Sequence, residues 1–419
     1  MRAETKAATT LGTCDYSVGK GYNNTNNSTC RKKPKKPAAT VFFERDDPMI
    51  LISTVVPRCA LSYMASSPGR RGREVSAADI RRRLTFMSRE LFADDGLDAL
   101  ECALLVSPSF VNAHISQLTV LDASWYLPTV NRDAHAEFES RRLPGARFFD
   151  IDRIADTTTG LPHMLPTVEA FAAAMTALGV EQDAPIVVYD SAGIFSAPRV
   201  LWTLRVFGAR RVAVMNGGLP RWEREGFAVT TTPSLPCALS NTGLLRGGGN
   251  SDSEDWSLNI DAVRRLEDML VNIALQTPDS GAVDRMLAGV RSGTRVSDFS
   301  DGTDLCVDAR AAARFAGTAP EPRAGVRGGH APGARNVPFS SVLREDGTFR
   351  ERDELEAIFA AAGVDVHREG GITLSCGSGV TACVIFLALA LCGRPVERTG
   401  VYDGSWSEYG ACPTAPVVT

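Results

Sequence analysis

The residues best suited to chemistry are 375–381, a Ser-Cys-Gly-Ser-Gly-Val-Thr segment with a single cysteine, Cys376. The apolar run 371–374 predicts a short buried strand before it, and residues 382–392 predict a buried helix after it. Glycines let several backbone N–H groups converge, and a helix N-terminus adds partial positive charge. Both features favour a negatively charged sulfur, the nucleophilic form of a thiol. The alternative is a structural cysteine buried near a tight turn.

The composition is that of a globular chain with about two domains. The chain has 419 residues, of which 44% are hydrophobic and 22% are charged, and a chain of this length usually divides into domains. The formal net charge of -4 argues against a general nucleic-acid binder. The longest apolar run, 382–392, is too short to cross a bilayer. We therefore expect neither nucleic acid nor a membrane among its partners.

The cysteines and histidines do not form a metal-binding pattern. None of the ten cysteines belongs to a C-x-x-C pair and the five histidines are scattered, so zinc-site spacing is absent. We expect no metal and no organic cofactor. No early apolar stretch resembles a secretory signal, which favours a reducing compartment.

Residues 1–103 differ in composition from the rest of the chain. Residues 23–36 are polar and then basic, with prolines between, and such a segment cannot bury a core. Residues 64–83 are rich in serine and arginine, as organelle transit peptides are, although Glu74 and Asp79 weaken that interpretation. The prediction is a largely disordered or targeting extension on a cytoplasmic or mitochondrial protein.

From residue 104 onward, short apolar runs alternate with helical patterns. The predicted strands are 118–123, 146–151, 185–190 and 211–216, and the predicted helices are 168–178 and 197–207. This alternation predicts an α/β fold, in which a parallel sheet is flanked by helices.

The pattern then occurs a second time. Asp122 and Asp308 each end a predicted strand, Asp190 falls where Cys376 falls, and both pairs lie 186 residues apart. A Pro-Gly-Ala-Arg turn and a glycine that follows a later strand recur at offsets of 188 and 186 residues. Agreement at four places predicts two tandem copies of one domain. Because the first copy has an aspartate at the loop, only the second can carry thiol chemistry there.

The repeat divides the chain into four parts. They are an extension over 1–103, a first domain over 104–235, a linker over 236–258 and a second domain over 259–419 with an insertion at about 278–303.

Six segments of this pattern carry a resemblance to a known family: 121–127, 148–152, 163–166, 196–199, 329–333 and 402–406. Over roughly residues 104–410 the chain resembles the tandem-domain rhodanese superfamily of sulfurtransferases. The resemblance implies two rhodanese-like domains, with a loop that lacks the nucleophile in the first and a catalytic cysteine loop in the second.

The resemblance also implies the reaction. Cys376 would take sulfur from 3-mercaptopyruvate as a persulfide, release pyruvate and pass the sulfur to thioredoxin, small thiols or cyanide. Backbone N–H groups of Gly377, Gly379, Val380 and Thr381 would stabilise the anionic persulfide. Thr381 fits a first-turn helix residue without a role equally well.

The charge of the loop bears on the sulfur donor. Thiosulfate-using relatives place basic residues directly after the cysteine, whereas Gly377 and Ser378 are neutral, which favours a monoanionic thiol donor. In the family, the arginines matching Arg314 and Arg323 bind substrate, and a guanidinium can hold a carboxylate with two hydrogen bonds. The alternative for either arginine is a weak surface ion pair.

A proton relay of Ser378, His163 and Asp152 is implied by the resemblance. Histidine can move protons near neutral pH, and the aspartate would orient it. A structural role for His163, or none for Asp152, is the alternative, since the sequence does not show that the three residues meet. We interpret His330, Cys383 and Cys392 as packing residues.

Three other functions fit parts of the pattern. Thiosulfate sulfurtransferase and a non-catalytic rhodanese-type binding module are the nearest, and retention of Cys376 with both arginines argues against the module. A Cys-x5-Arg phosphatase of the same fold would need an arginine at the sixth residue after the cysteine, where this chain has Ala382.

Overall fold

The computed structural model describes residues 89–231, 256–264, 269 and 304–419. The strands in these ranges are β1 (Glu90–Leu91), β2 (Leu105–Val106), β3 (Thr119–Asp122), β4 (Arg147–Phe148), β5 (Ile186–Tyr189), β6 (Val212–Met215), β7 (Val263–Arg264), β8 (Leu305–Asp308), β9 (Arg335–Asn336), β10 (Ile372–Ser375) and β11 (Thr399–Tyr402). The α-helices are α1 (Pro108–His114), α2 (Ala134–Ser140), α3 (Val168–Leu178), α4 (Ala197–Val206), α5 (Gly218–Arg224), α6 (Ala312–Phe315), α7 (Arg352–Ala361), α8 (Ala382–Leu391) and α9 (Ser405–Tyr409).

Two parallel sheets share one strand order. The first sheet runs β1-β2-β6-β5-β3-β4 and the second runs β7-β11-β10-β8-β9, so the two orders coincide strand for strand once β1 is set aside. The registers agree as well, because Asp122 lies beside Tyr189 and Asp308 lies beside Ser375. This confirms the prediction of two tandem α/β domains, each a parallel sheet flanked by helices.

The first sheet begins before residue 104, the boundary predicted from the sequence. Strand β1 pairs with β2, and Leu91 within it is fully buried. A two-residue strand carries too little periodicity to be recognised from the sequence. The domain therefore takes in residues that we had assigned to the extension.

The end of the predicted linker also belongs to the folded part. Trp256 is buried and packs edge-on against Phe171, with ring centroids 5.1 Å apart. The rest of the predicted extension, most of the predicted linker and the predicted insertion lie outside the described residues and stay predictions: 1–88, 232–255 and 278–303.

Strand β4 is shorter than the predicted strand 146–151. The Phe149 N–H still donates to the Asp122 carbonyl at 2.8 Å, but the Asp150 carboxylate then accepts the N–H groups of Asp152 and Arg153 at 3.1 Å each. An aspartate that binds nearby backbone N–H groups forms a turn instead of a sheet ladder. The turn places Asp152 just beyond the carboxyl end of the first sheet.

One apolar core joins the two domains. Leu121 and Val188 of the first sheet belong to the same buried cluster as Leu374 and Val401 of the second, and α4 packs against α8 within it. All ten residues of α8 are buried, as expected for a helix that is apolar all round. Because α4 follows the loop after β5 and α8 follows the loop after β10, this core fixes both loops.

Candidate active site

Cys376 directly follows β10 and is 1% exposed. Its N–H donates to the Ser405 hydroxyl at 3.2 Å. The carbonyl of Gly377 accepts the Ser407 N–H at 2.9 Å and the Ser407 hydroxyl at 2.6 Å. Helix α9 therefore fixes the start of the cysteine loop from the side.

Gly379 makes the turn of this loop possible. Its φ is +78°, in the left-handed region that favours glycine. A Cβ at this position would lie 2.7 Å from Arg199 Nη1 and 2.9 Å from the Asp403 carbonyl oxygen. A larger residue here would displace the loop from its neighbours.

The backbone N–H groups of residues 377–382 form no hydrogen bond with any described residue. Gly379, Val380 and Ala382 are buried, while Gly377 and Thr381 are partly buried. Buried N–H groups without partners are rare in folded proteins. The loop thus offers a group of free donors next to the cysteine sulfur.

The corresponding loop of the first domain shows what such donors can hold. There the Asp190 carboxylate accepts the N–H groups of Ala192, Phe195, Ser196 and Ala197 at 3.0, 2.9, 3.0 and 2.9 Å. Asp190 occupies the position that Cys376 occupies in the second domain. The loop of this fold therefore holds an anion with its own backbone when the residue at that position supplies one.

The structure brings Ser378, His163 and Asp152 together across the two domains. The Ser378 hydroxyl lies 2.9 Å from His163 Nδ1, and His163 Nε2 lies 3.0 Å from Asp152 Oδ1. Since a carboxylate only accepts, Nε2 carries a proton and donates to Asp152. In the neutral ring, Nδ1 then accepts from the Ser378 hydroxyl. The hydrogen bond from His163 also lowers the pKa of Asp152.

Trp125 completes this arrangement, and the sequence analysis gave it no role. Its indole N–H donates to Asp152 Oδ2 at 3.0 Å, and its ring contacts His163 edge-on with centroids 4.6 Å apart. Trp125 therefore holds both the aspartate and the imidazole. The available signal was its place directly after β3, at the carboxyl end of the sheet.

Arg314 lies beside the cysteine loop. A Cβ built on Gly377 would be 3.3 Å from Arg314 Nη2. The Glu321 carboxylate accepts from Nη2 and, at 3.3 Å, from Nε of Arg314, and it also binds Arg310 Nη1 at 2.8 Å. Glu321 thus orients the Arg314 guanidinium, while 22% of the side chain stays exposed.

Arg323 is half-buried and makes no hydrogen bond or ion pair with any described residue. Burial and then the neighbouring charge of Arg314 lower the pKa of Arg323, while interactions with Cys376, Glu321 and Asp152 act in the opposite direction. These interactions place an unpaired guanidinium in the same region as the sulfur. A cation held in this way favours an incoming anion.

Arg199 and Asp403 are buried and join the two domains, a pairing that the sequence analysis missed. Arg199 Nη2 lies 2.6 Å from Asp403 Oδ1, and Asp403 Oδ2 accepts the Leu165 N–H at 2.8 Å. Both side chains lie in segments that carried the resemblance. An arginine on an otherwise apolar helix gives no sequence signal about its partner in another domain.

The residues interpreted as packing residues have structural contacts. His330 stacks on Phe315 with centroids 3.8 Å apart, and its Nδ1 lies 2.9 Å from the Phe315 carbonyl oxygen. Cys383 and Cys392 are buried on α8. Burial raises the pKa of Cys392 to about 12 and that of Cys383 well above the ordinary range.

No group of three or more histidine, cysteine or acidic side chains among the described residues is arranged to hold a metal ion. Within the same part of the chain, no helix combines the length and apolar composition needed to cross a bilayer.

Comparison with known proteins agrees with this geometry. The family described as Rhodanese-like domain matches residues 116–225, within the first domain. Thiosulfate/3-mercaptopyruvate sulfurtransferase 1, mitochondrial, of Arabidopsis thaliana is 38% identical over 315 residues, which cover 75% of this chain and 77% of that relative. The chain belongs to the rhodanese-like sulfurtransferase family. The predicted membership and the class of enzyme, a transferase, are confirmed.

Other relatives extend the match across the chain. The 3-mercaptopyruvate sulfurtransferase of Escherichia coli strain K12 is 38% identical over 315 residues, covering 74% of this chain and 96% of the relative. The solved structure of SseA from Escherichia coli matches with a TM-score of 0.56 and 36% identity, over 73% of this chain and 99% of that one. This rhodanese-like sulfurtransferase therefore acts on a small molecule that contains sulfur.

Proposed function

We propose that this sulfurtransferase takes sulfur from 3-mercaptopyruvate onto Cys376 and passes it to a second nucleophile. The observation that carries the proposal is the union of three parts at one loop. A buried cysteine adjoins free backbone donors, a Ser378–His163–Asp152 chain reaches it from the other domain, and two arginines flank it.

The donor carboxylate and keto oxygen bind to the two arginines. Arg323 supplies an unpaired guanidinium, and Arg314 supplies the part of its guanidinium that Glu321 leaves exposed. The charges of Arg314, Arg323 and Glu321 sum to a single positive charge, which suits a donor with one carboxylate. Charge-assisted bonds to both oxygens fix the donor with its sulfur next to the cysteine.

The cysteine loads sulfur in one displacement. The Cys376 thiolate attacks the donor sulfur, an S–S bond forms, and the C–S electron pair passes to carbon as the enolate of pyruvate. The proton that the donor thiol loses is the proton that the carbon gains. Ser378 and His163 move that proton, while Asp152 keeps the imidazole in the tautomer that can accept it.

The backbone donors of the loop then stabilise the anionic persulfide. The N–H groups of Gly377, Gly379, Val380 and Thr381 are the ones we assign to this task, by analogy with the donors around Asp190. An acceptor thiolate or cyanide attacks the outer sulfur and restores the Cys376 thiolate. The acceptors we propose are thioredoxin, small thiols or cyanide.

A second donor, thiosulfate, is favoured by one observation. The Arabidopsis relative is named for both thiosulfate and 3-mercaptopyruvate. Against it, the loop positions Gly377 and Ser378 are neutral, so a doubly charged donor would meet only the two arginines. We propose thiosulfate as the weaker donor. A non-catalytic binding module is disfavoured because the proton relay and both arginines accompany the cysteine.

We propose a cytoplasmic or mitochondrial location, and the mitochondrial name of the Arabidopsis relative supports the second.

Steady-state kinetics with both donors test the function. With cyanide as acceptor, thiocyanate is measured for each donor, and pyruvate is measured for 3-mercaptopyruvate. We expect kcat/KM for 3-mercaptopyruvate to exceed that for thiosulfate, with one pyruvate released per thiocyanate formed. A higher value for thiosulfate would reverse the donor assignment, and no thiocyanate from either would remove the proposal.

A further inference from the structure

Arg199 lies at the junction of three segments that the proposed reaction needs. It begins in the first domain, on α4, and is 2% exposed. Its Nη2 donates to the carbonyl oxygen of His163 and to Asp403 Oδ1, and its Nη1 donates to the carbonyl oxygen of Gly379 at 3.4 Å. One guanidinium thus contacts the histidine of the relay and the turn of the cysteine loop at once.

The backbone of His163 needs such support. Its φ is +62°, a left-handed conformation that costs a non-glycine residue free energy unless its surroundings hold it. The Arg199 guanidinium holds the carbonyl on one side of this residue. Asp403, paired with Arg199, accepts the N–H of Leu165 two residues later.

The same pair also limits the cysteine loop. The close approach of Arg199 and the Asp403 carbonyl to Gly379 leaves no room for a Cβ there. Because Asp403 is itself buried beside Arg199, the pair brings no net charge to the site. Its effect on the reaction must therefore come from geometry, through the segments that it ties together.

We propose that Arg199, anchored by Asp403, is a positioning residue that keeps His163 Nδ1 within hydrogen-bond distance of Ser378 and thereby sets the rate of sulfur loading. The inference rests on the proposed proton relay. It concerns only the loading half of the reaction, since discharge of the persulfide to cyanide needs no proton on carbon.

The variant Arg199→Lys tests the proposal. Lysine keeps a cation for Asp403 but lacks the planar fork that reaches the two carbonyl oxygens. Single-turnover pyruvate release from 3-mercaptopyruvate should slow by about 10- to 100-fold, as expected for a misplaced catalytic group. The donor's dissociation constant and the rate of persulfide discharge to cyanide should stay within about twofold, because Arg314, Arg323 and the loop donors remain. An unchanged loading rate, or an equal loss in both halves, would overturn the proposal.

A double-mutant cycle with His163→Asn separates positioning from a general structural effect. If Arg199 acts through His163, adding Arg199→Lys to His163→Asn should slow loading little further, because the relay is already lost. Losses that multiply would contradict the inference.

Arg394→Lys is the matched control. Arg394 is 1% exposed, lies in the second domain and donates to the carbonyl oxygens of Val366 and Gly370 among others, away from the cysteine loop. Its replacement should lower thermal stability without changing the ratio of loading to discharge rates. A change of that ratio equal to the one seen in Arg199→Lys would show that any lost buried arginine suffices, and the inference would fail.

If Arg199→Lys does not fold, Asp403→Asn takes its place. It keeps the guanidinium but weakens its anchor, and the same selective loss of loading is expected, with an unchanged loading rate contradicting the proposal. A wild-type protein that releases no pyruvate would instead remove the proposed function. Activity in the wild type with unimpaired variants would remove only the role of Arg199.

Discussion

The loops after β5 and β10 occupy the same place in two copies of one fold, yet they differ in what fills them. In the first, the Asp190 carboxylate accepts four backbone N–H groups. In the second, Cys376 stands at that position and the N–H groups of residues 377–382 have no partner among the described residues. One loop contains its own anion, and the other is left to receive one. The difference teaches that the anion site belongs to the fold, whereas the chemistry belongs to a single residue.

The two loops also receive different neighbours from the opposite domain. The relay histidine His163 covers the cysteine loop, and Phe349, 186 residues later, lies on the other side of the repeat. Phe349 is buried, and its N–H donates to Asn216 Oδ1 at 3.0 Å. Gly193 of the aspartate loop approaches Gly347 so closely that a Cβ on it would lie 3.2 Å from the Gly347 Cα. The first loop is thus packed against backbone and apolar groups instead of a proton carrier.

The largest effect should come from Cys376→Ser. A serine hydroxyl is far less acidic than a thiol and cannot hold sulfur as a persulfide, so we expect sulfur transfer to fall below detection. Thiocyanate formation from 3-mercaptopyruvate and cyanide measures it. Cys392→Ala, another buried cysteine, serves as the control and should retain activity; substantial turnover in Cys376→Ser would refute the mechanism.

Adding Asp190→Cys to Cys376→Ser tests whether a cysteine alone makes the first loop catalytic. We expect no recovery of activity, because that loop has Phe349 where the other has His163, and the positions matching Arg314 and Arg323 hold Pro128 and Glu137. Thiocyanate formation by the double variant would mean that the neighbours matter less than the loop itself.

His163→Asn should slow pyruvate release by about 100-fold or more, the usual contribution of general acid–base catalysis. Asparagine can still donate to Asp152, so the loss reports the missing proton carrier. Single-turnover pyruvate release is the measurement, with persulfide discharge to cyanide as the internal control. Equal rates for wild type and variant would leave His163 with a structural role only.

Arg314→Ala should raise KM for 3-mercaptopyruvate by about 10- to 100-fold, since a charge-assisted hydrogen bond contributes about 1.5–3 kcal/mol. Arg335→Ala, at an exposed arginine of the same domain, should leave KM unchanged. Thermal unfolding of both variants shows whether folding is affected. An unchanged KM in Arg314→Ala would remove its assigned contact with the donor carboxylate.

The smallest effect concerns the aspartates that end β3 and β8. Asp308 is bound by Arg310 through Nε at 2.9 Å and Nη2 at 2.6 Å, whereas Asp122 Oδ2 has no partner among the described residues. Burial raises the pKa of Asp122 to about 6. Between its unfolded value near 4 and about 6 the folded state binds the extra proton, so the stability from this group falls as the pH rises through that range.

Asp122→Asn removes this pH dependence. The free energy of unfolding of the variant relative to wild type should rise by about 2 kcal/mol between pH 4 and pH 7, since one pKa unit corresponds to about 1.4 kcal/mol. Urea denaturation at several pH values measures it. A constant difference across that range would show that Asp122 titrates as an ordinary carboxyl group.

Much of this architecture could be predicted from the sequence because it is local. Helix α3 was predicted with its bounds, since Thr167 caps its start and Gly179, with φ +64°, ends it. The repeat offset predicted the matching of β3 with β8 and of the two loops. The cysteine loop was recognisable because strand, glycines and helix follow one another directly along the chain.

The contacts between domains could not be predicted in the same way. Ser378 and His163 lie 215 residues apart in sequence, and they meet only because α4 packs against α8. The family resemblance named these residues, but their sequence neighbourhoods do not specify the distance between them. Arg199 and Trp125 escaped notice for the same reason, since their partners lie in another domain or beyond a turn.

The most direct test of the account is where sulfur loads. The purified protein is incubated with 3-mercaptopyruvate without an acceptor, alkylated, digested and mapped by mass spectrometry. We predict one additional sulfur atom on the peptide containing Cys376, at a yield matching the pyruvate released, and none on peptides containing Cys383 or Cys412. Pyruvate release with Cys376 unmodified, or sulfur carried by another cysteine, would contradict the account.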